Sequence, residues 1–176
     1  PRSAAGGASA GGKPARSLSA RLGSERIKSC FALYPAAHLT HPERLDTVMG
    51  CVSDKFRGGV VIPHWCMKLF INAYTTPGTD MNDPRLSPIF YDASKFPKYV
   101  AVACGDADTL YRMSFDLMKK MRGSPSGTNV DGSRKFICVL NEAHEFNTFG
   151  RTRASQEERD RVEGEAINMI RASWRQ

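Results

Sequence analysis

The chain has 176 residues, 41% of them hydrophobic, which is enough for one domain with a real core. Its formal charge of +7 raises the question of an anionic partner. Lysines and arginines are, however, scattered among acids with no dense basic run and no aromatic–basic repeat, so nucleic-acid binding is not expected. No stretch approaches the roughly 20 apolar residues of a membrane span, and none near the start has the apolar segment of a signal peptide.

Five cysteines, Cys30, Cys51, Cys66, Cys104 and Cys138, are odd in number and unclustered, and three sit in apolar runs where cysteine acts as a small hydrophobe. A disulfide framework is therefore not expected, and the reading is a cytoplasmic chain in a reducing compartment. No spacing among histidines and cysteines suits zinc, so no metal or cofactor is expected, and His38, His41 and His64 read as structural or surface residues.

In chain order, Gly7-Ala8-Ser9-Ala10-Gly11 fits G-x-S-x-G, a pattern that sets a serine on a sharp strand-to-helix turn. Residues 27–34 form a mostly apolar run ended by Pro35 and read as a buried strand. From 38 to about 78 the pattern is irregular and rich in aromatic and sulphur residues, with a short helix expected over 64–74. A polar connector follows, with turns at Pro77-Gly78 and Asp83-Pro84.

The run 99–104 reads as a strand and is followed by a helix whose apolar stripe is Leu110, Met113, Leu117, Met118 and Met121. Residues 123–133 have the composition of a flexible loop, and 136–140 read as another strand. In the last helix a capping box is expected at Ser155-Gln156-Glu157-Glu158, with Val162, Ala166, Ile167, Ile170 and Trp174 on one side. Arg171 and Arg175 complement the dipole of that helix at its end. Alternating strands and helices imply an α/β fold with a parallel sheet, since only strands buried on both faces are near-continuous apolar runs.

Candidate chemistry lies at the strand ends. A serine hydroxyl needs an adjacent base to become a nucleophile. Ser9 is the candidate nucleophile and His144, just past the 136–140 strand, the candidate base. Asp108 and Asp106, on one turn after the 99–104 strand, are rival acids that could orient the base. The order Ser, Asp, His is that of α/β-hydrolases. The backbone N–H of Ala10 is placed to donate to a developing oxyanion. Phe56, Trp65 and Phe70 are candidates for a substrate pocket, with core packing the alternative.

With these residues in view, the chain resembles the hormone-sensitive-lipase-like carboxylesterases and lipases of the α/β-hydrolase superfamily, from about Gly6 to Phe149. Gly6-Gly7-Ala8-Ser9-Ala10-Gly11-Gly12 is similar to that family's G-D-S-A-G-G elbow, and Leu33-Tyr34-Pro35 to its next strand end. Asp83-Pro84-Arg85-Leu86-Ser87-Pro88 resembles its D-P-x-x-S-P segment, and Ala143-His144-Glu145-Phe146 its P-H-x-F base motif. The match of Gly105-Asp106-Ala107-Asp108-Thr109-Leu110 to G-x-x-D-x-L places the acid at Asp108.

The resemblance implies a serine hydrolase that cleaves carboxylic esters of small to medium acyl groups through an acyl-enzyme, and a partial α/β-hydrolase fold of three mostly parallel strands. It implies one partial domain over 1–176: elbow, helix and strand at 1–37, a cap-like insertion at 38–82, and acid, base and last helix at 83–176. The chain departs from the pattern at Ala8, where the family has aspartate, and at Lys13-Pro14, where it has N-L. Pro14 sits near the limit of the first helical turn, so the helix behind Ser9 is expected to start late or be distorted. The family's H-G-G-G oxyanion loop and the first half of its sheet have no counterpart in this sequence. The expected partners besides substrate are accordingly that missing half or a second copy. Two rival readings are an inactive truncated hydrolase and a ligand-binding module without catalysis.

Overall fold

The computed structural model describes residues 3–55, 57–123, 133–149 and 152–175. Four strands form one parallel sheet in sequential order: β1 (Ala4–Ala8), β2 (Ser29–Leu33), β3 (Tyr99–Gly105) and β4 (Arg134–Val139). The α/β class and parallel sheet agree with the sequence, but the strand count rises from three to four. The added strand, β1, has the sequence Ala-Ala-Gly-Gly-Ala, which lacks the branched and aromatic residues that mark a strand. Its backbone is held by pairing to β2 from Ala4 opposite Ser29 to Ala8 opposite Leu33.

Parallel neighbours need crossovers, and helices supply them. Helix α1 (Gly12–Arg26) returns β1 to β2, and α3 (Tyr111–Arg122) returns β3 to β4. Both lie on one face, where Ala20, Cys30, Val100, Val102, Leu117, Met118 and Met121 form a buried core. The opposite face packs Ala103, Ile137 and Val139 against Phe146 of α4 (Phe146–Phe149) and Val162 of α5 (Arg153–Ser173). Alternate residues of each strand thus feed opposite cores, as period two requires.

Helix α1 begins at Gly12 with Pro14 in its first turn, where proline is tolerated, so the expected distortion there is absent. The helical path breaks later, at Gly23 (φ 67°). Helix α3 presents the expected stripe and stops at Gly123, whose left-handed φ of 62° closes the last turn.

Between β2 and β3 the chain makes a long excursion. Helix α2 (His64–Tyr74) has the expected bounds. With Leu39, Leu45, Val48 and Met49, its Met67 and Ile71 build a separate core against Leu110 and Met113 of the main fold. The end of the excursion is tied by Ser87, whose buried hydroxyl accepts from Leu39 N at 3.0 Å and donates to Met81 O at 2.8 Å.

Helix α5 differs from expectation at both ends. Its N-cap is Thr152, whose hydroxyl accepts from Ser155 N at 3.1 Å; Ser155 lies within the first turn, where its own hydroxyl serves another partner. Of the expected apolar side, Val162 and Ala166 are buried, but Ile167 and Trp174 are 48% and 41% exposed. The expected loop at 123–133 lies outside the described residues except at its ends. Among the described residues no helix is long and apolar enough to cross a membrane.

Candidate active site

Ser9 stands where β1 passes into α1, the first residue of a tight 3₁₀ turn (Ser9–Gly11) that runs directly into the helix. Its φ of 49° is in the left-handed region, which a non-glycine residue adopts only when its surroundings hold it there. The turn is so close that a Cβ on Gly7 would strike the carbonyl of Gly11, so the first glycine of the motif is sterically required.

Two other loops bring their side chains to this turn. Asp108 lies beyond the end of β3 and His144 beyond the end of β4, and both are buried. His144 Nε2 is 2.7 Å from Ser9 Oγ, and His144 Nδ1 is 2.8 Å from Asp108 Oδ2. An ionised carboxylate can only accept, so the Asp108 contact puts the ring proton on Nδ1. Nε2 is then left as the acceptor for the Ser9 hydroxyl. The second oxygen of Asp108 accepts from Leu110 N at 2.8 Å, which fixes the carboxylate as α3 begins. Cys104 Sγ approaches Asp108 Oδ2 at 3.6 Å, and burial pushes its thiol well above the ordinary range.

Asp106, the rival acid, points elsewhere. Its Oδ1 accepts from Asn141 N at 2.6 Å and its carbonyl from Val52 N and Ser53 N, so it braces the turn that precedes His144. The two acids, two residues apart, divide the work of orienting the histidine and holding its loop.

Several contacts that position His144 carry no motif. The segment 57–60 runs alongside 141–144. Val60 and His144 exchange both backbone hydrogen bonds, at 2.6 and 3.0 Å, and Ala143 N donates to Gly58 O at 3.0 Å. Between them Gly59 has φ 90°, and a Cβ there would collide with the carbonyl of His144. Tyr34, at the end of β2, lays its ring 4.4 Å from that of His144 and donates its hydroxyl to Asn147 Oδ1. Burial, then the nearby charges of Glu145 and Asp108, push the Tyr34 hydroxyl upward in pKa. Two residues before His144, Glu142 is buried, accepts from Ser155 Oγ at 2.6 Å and lies 3.4 Å from Arg57 Nε. Desolvation raises its carboxyl above the usual range, with Ser155 and Arg57 acting in the opposite direction.

A cleft of about 530 Å³ opens beside Ser9 and Ala10, floored by Ala36, Leu39, Ile62 and Leu110 and walled by Met67, Phe70, Ile71 and Tyr74 of α2. Of the residues expected to form a substrate pocket, Phe70 lines this cleft. Trp65, 68% exposed, faces solvent at the start of α2 and does not line it. Phe56 lies outside the described residues. Helical spacing explains the split, because Phe70, Met67 and Tyr74 share one side of α2 and Trp65 does not.

His64 pairs with Asp46 at 2.6 Å on the surface, and His38 packs edge-on to Phe90. Among the described residues no group of three or more His, Cys, Asp or Glu side chains could hold a metal ion.

A family model described as alpha/beta hydrolase fold matches residues 2–147. The chain belongs to the α/β-hydrolase family. The resemblance expected from the motifs is thereby borne out, and so is the fold.

Among solved structures, this α/β-hydrolase is similar to EstE1, a thermostable carboxylesterase cloned from a metagenomic library. The TM-score is 0.70 at 23% identity, over 97% of this chain and 54% of that one. It is also similar to brefeldin A esterase, a bacterial homologue of human hormone sensitive lipase, with a TM-score of 0.63 at 21% identity over 95% of this chain and 47% of that one. A hyperthermophilic esterase from the archaeon Pyrobaculum calidifontis gives 0.63 at 17% identity over 95% and 51%. The chain spans about half the length of these structures. A comparison with curated proteins returns no match.

Proposed function

We propose that the chain carries the nucleophile, acid and base of a serine carboxylesterase of the hormone-sensitive-lipase-like branch, acting on small to medium acyl esters. The observation that supports this best is the continuous hydrogen-bonded line from Ser9 Oγ through the His144 ring to Asp108 Oδ2. In this reading Ser9 Oγ attacks the ester carbonyl carbon as His144 Nε2 takes its proton, and Asp108 stabilises the imidazolium that forms. The oxyanion is held in part by the N–H of Ala10, and the remaining donors belong to the upstream loop the family supplies. The tetrahedral intermediate collapses, the C–O bond to the alcohol breaks, and His144 returns its proton to the leaving alkoxide. Water, deprotonated by the same nitrogen, then attacks the acyl carbon; the bond to Ser9 Oγ breaks, His144 returns the proton to that oxygen, and the carboxylic acid leaves.

The apolar cleft beside Ser9 supports an acyl or alcohol group of modest size, and the excursion at 38–82 serves as a cap over it. The test is to mix the protein with p-nitrophenyl butyrate, quench in acid and read the intact mass. A butyryl adduct that maps to Ser9 is expected. Release of p-nitrophenol without any adduct, or an adduct at another residue, contradicts the assignment.

A further inference from the structure

We infer that Lys13 makes the cleft beside Ser9 a site for esters that carry a free carboxylate. The inference rests on the esterase reading and adds a substrate class to it.

Lys13 occupies the first turn of α1, four residues after Ser9, and is only 8% exposed. Its position is unfavourable twice over. Most of the side chain is packed away from water, and the N-terminus of a helix already carries partial positive charge. A buried lysine ordinarily answers these costs with a carboxylate partner, but among the described residues Lys13 forms no ion pair. What faces its ammonium is the ring of Tyr74, with Nζ 3.7 Å from the centroid. That contact holds the charge in place without neutralising it.

Both Lys13 and Tyr74 line the cleft that contains Ser9, and the other side chains named there are apolar or small. The cleft therefore has one nucleophile candidate, one cation and an apolar wall between α2 and Leu110. A ligand that complements it has an ester carbonyl at Ser9, a short aliphatic stretch along the wall and an anion at Lys13. Half-esters of short dicarboxylic acids have that form.

Binding is tested apart from turnover, in the Ser9→Ala protein, by titration calorimetry with monoethyl glutarate and with the neutral ester ethyl valerate. The half-ester is expected to bind about tenfold tighter or more, the scale of one hydrogen bond to a charged group. In a Ser9→Ala background, Lys13→Met is expected to abolish that preference and Lys13→Arg to keep it. Lys13→Gln provides a second neutral variant should the methionine protein fail to fold. Equal affinity for the two esters, no measurable binding of the half-ester, or a preference that survives in the neutral variants overturns the inference. Failure of the esterase reading looks different: Ser9 takes no acyl group while the carboxylate preference persists.

Discussion

Replacing Asp108 by asparagine removes one charge and almost no volume, so its effect reads the role of the carboxylate. The carbonyl of the new amide can still accept from Leu110 N, as Asp108 Oδ1 does now at 2.8 Å. The amide nitrogen then takes the place of Oδ2, 2.8 Å from His144 Nδ1, and offers a proton where the histidine had a partner for its own. The ring is driven to the other tautomer, with its proton on Nε2, facing Ser9 Oγ at 2.7 Å. It can no longer accept the serine proton. The expected loss is about 10⁴-fold in rate, or about 5.4 kcal/mol in barrier.

Asp106→Asn is the matched control. An asparagine carbonyl there can still accept from Asn141 N, now 2.6 Å from Oδ1, so the turn before His144 loses about 1 kcal/mol and the chemistry changes little. The assay is kcat/KM for p-nitrophenyl butyrate together with thermal unfolding of both variants. An Asp108→Asn protein that keeps its rate, or an Asp106→Asn protein that loses as much, refutes the division of roles between the two acids.

Other outcomes follow from the same geometry. Gly59→Ala meets both a φ of 90° and the carbonyl of His144, and is expected to cost about 2 kcal/mol or more and to slow esterase turnover; urea unfolding and kcat check it. Thr152→Ala, which removes the N-cap of α5, is expected to cost about 1 kcal/mol of stability by the same unfolding measurement. Leu117→Ala empties a fully packed position in the core beneath α1 and α3, with about 3–5 kcal/mol expected. For Glu142 the folded carboxyl titrates above its ordinary value of 4.5, so the unfolded chain loses this proton first. Its contribution to stability is therefore present at low pH and is lost as pH rises from about that value through the folded one. Glu142→Gln is expected to gain on the wild type as pH rises from about 4 to about 8, and a pH-independent difference in unfolding temperature contradicts this.

The core strands and the regular helices were legible because burial on both faces leaves continuous apolar runs, as in Tyr99–Gly105, and because period 3.6 marks Met113, Leu117 and Met121. Strand β1 was not, since Ala-Ala-Gly-Gly-Ala has no strand propensity of its own and owes its form to pairing with β2. The side chains of Ser9, Asp108 and His144 were legible as motifs at strand ends, and the structure brings all three together. The supports of His144 were not. Gly59 and Val60 act through backbone hydrogen bonds across a long sequence separation, and Tyr34 through a ring contact, none of which leaves a spacing to read. Trp65 and Phe70 share an apolar patch in sequence but face different sides of α2, which only the helix phase decides. The capping box at Ser155 failed because Thr152, three residues earlier, offers the same chemistry and lies where the helix begins.

Everything proposed for the reaction depends on Ser9 being an activated nucleophile in this chain. Labelling with a fluorophosphonate, read by intact mass beside Ser9→Ala, tests that most directly. A single adduct is expected on the wild-type protein and none on the variant. A folded wild-type protein that takes no label, or a Ser9→Ala protein that is labelled as fast, contradicts it.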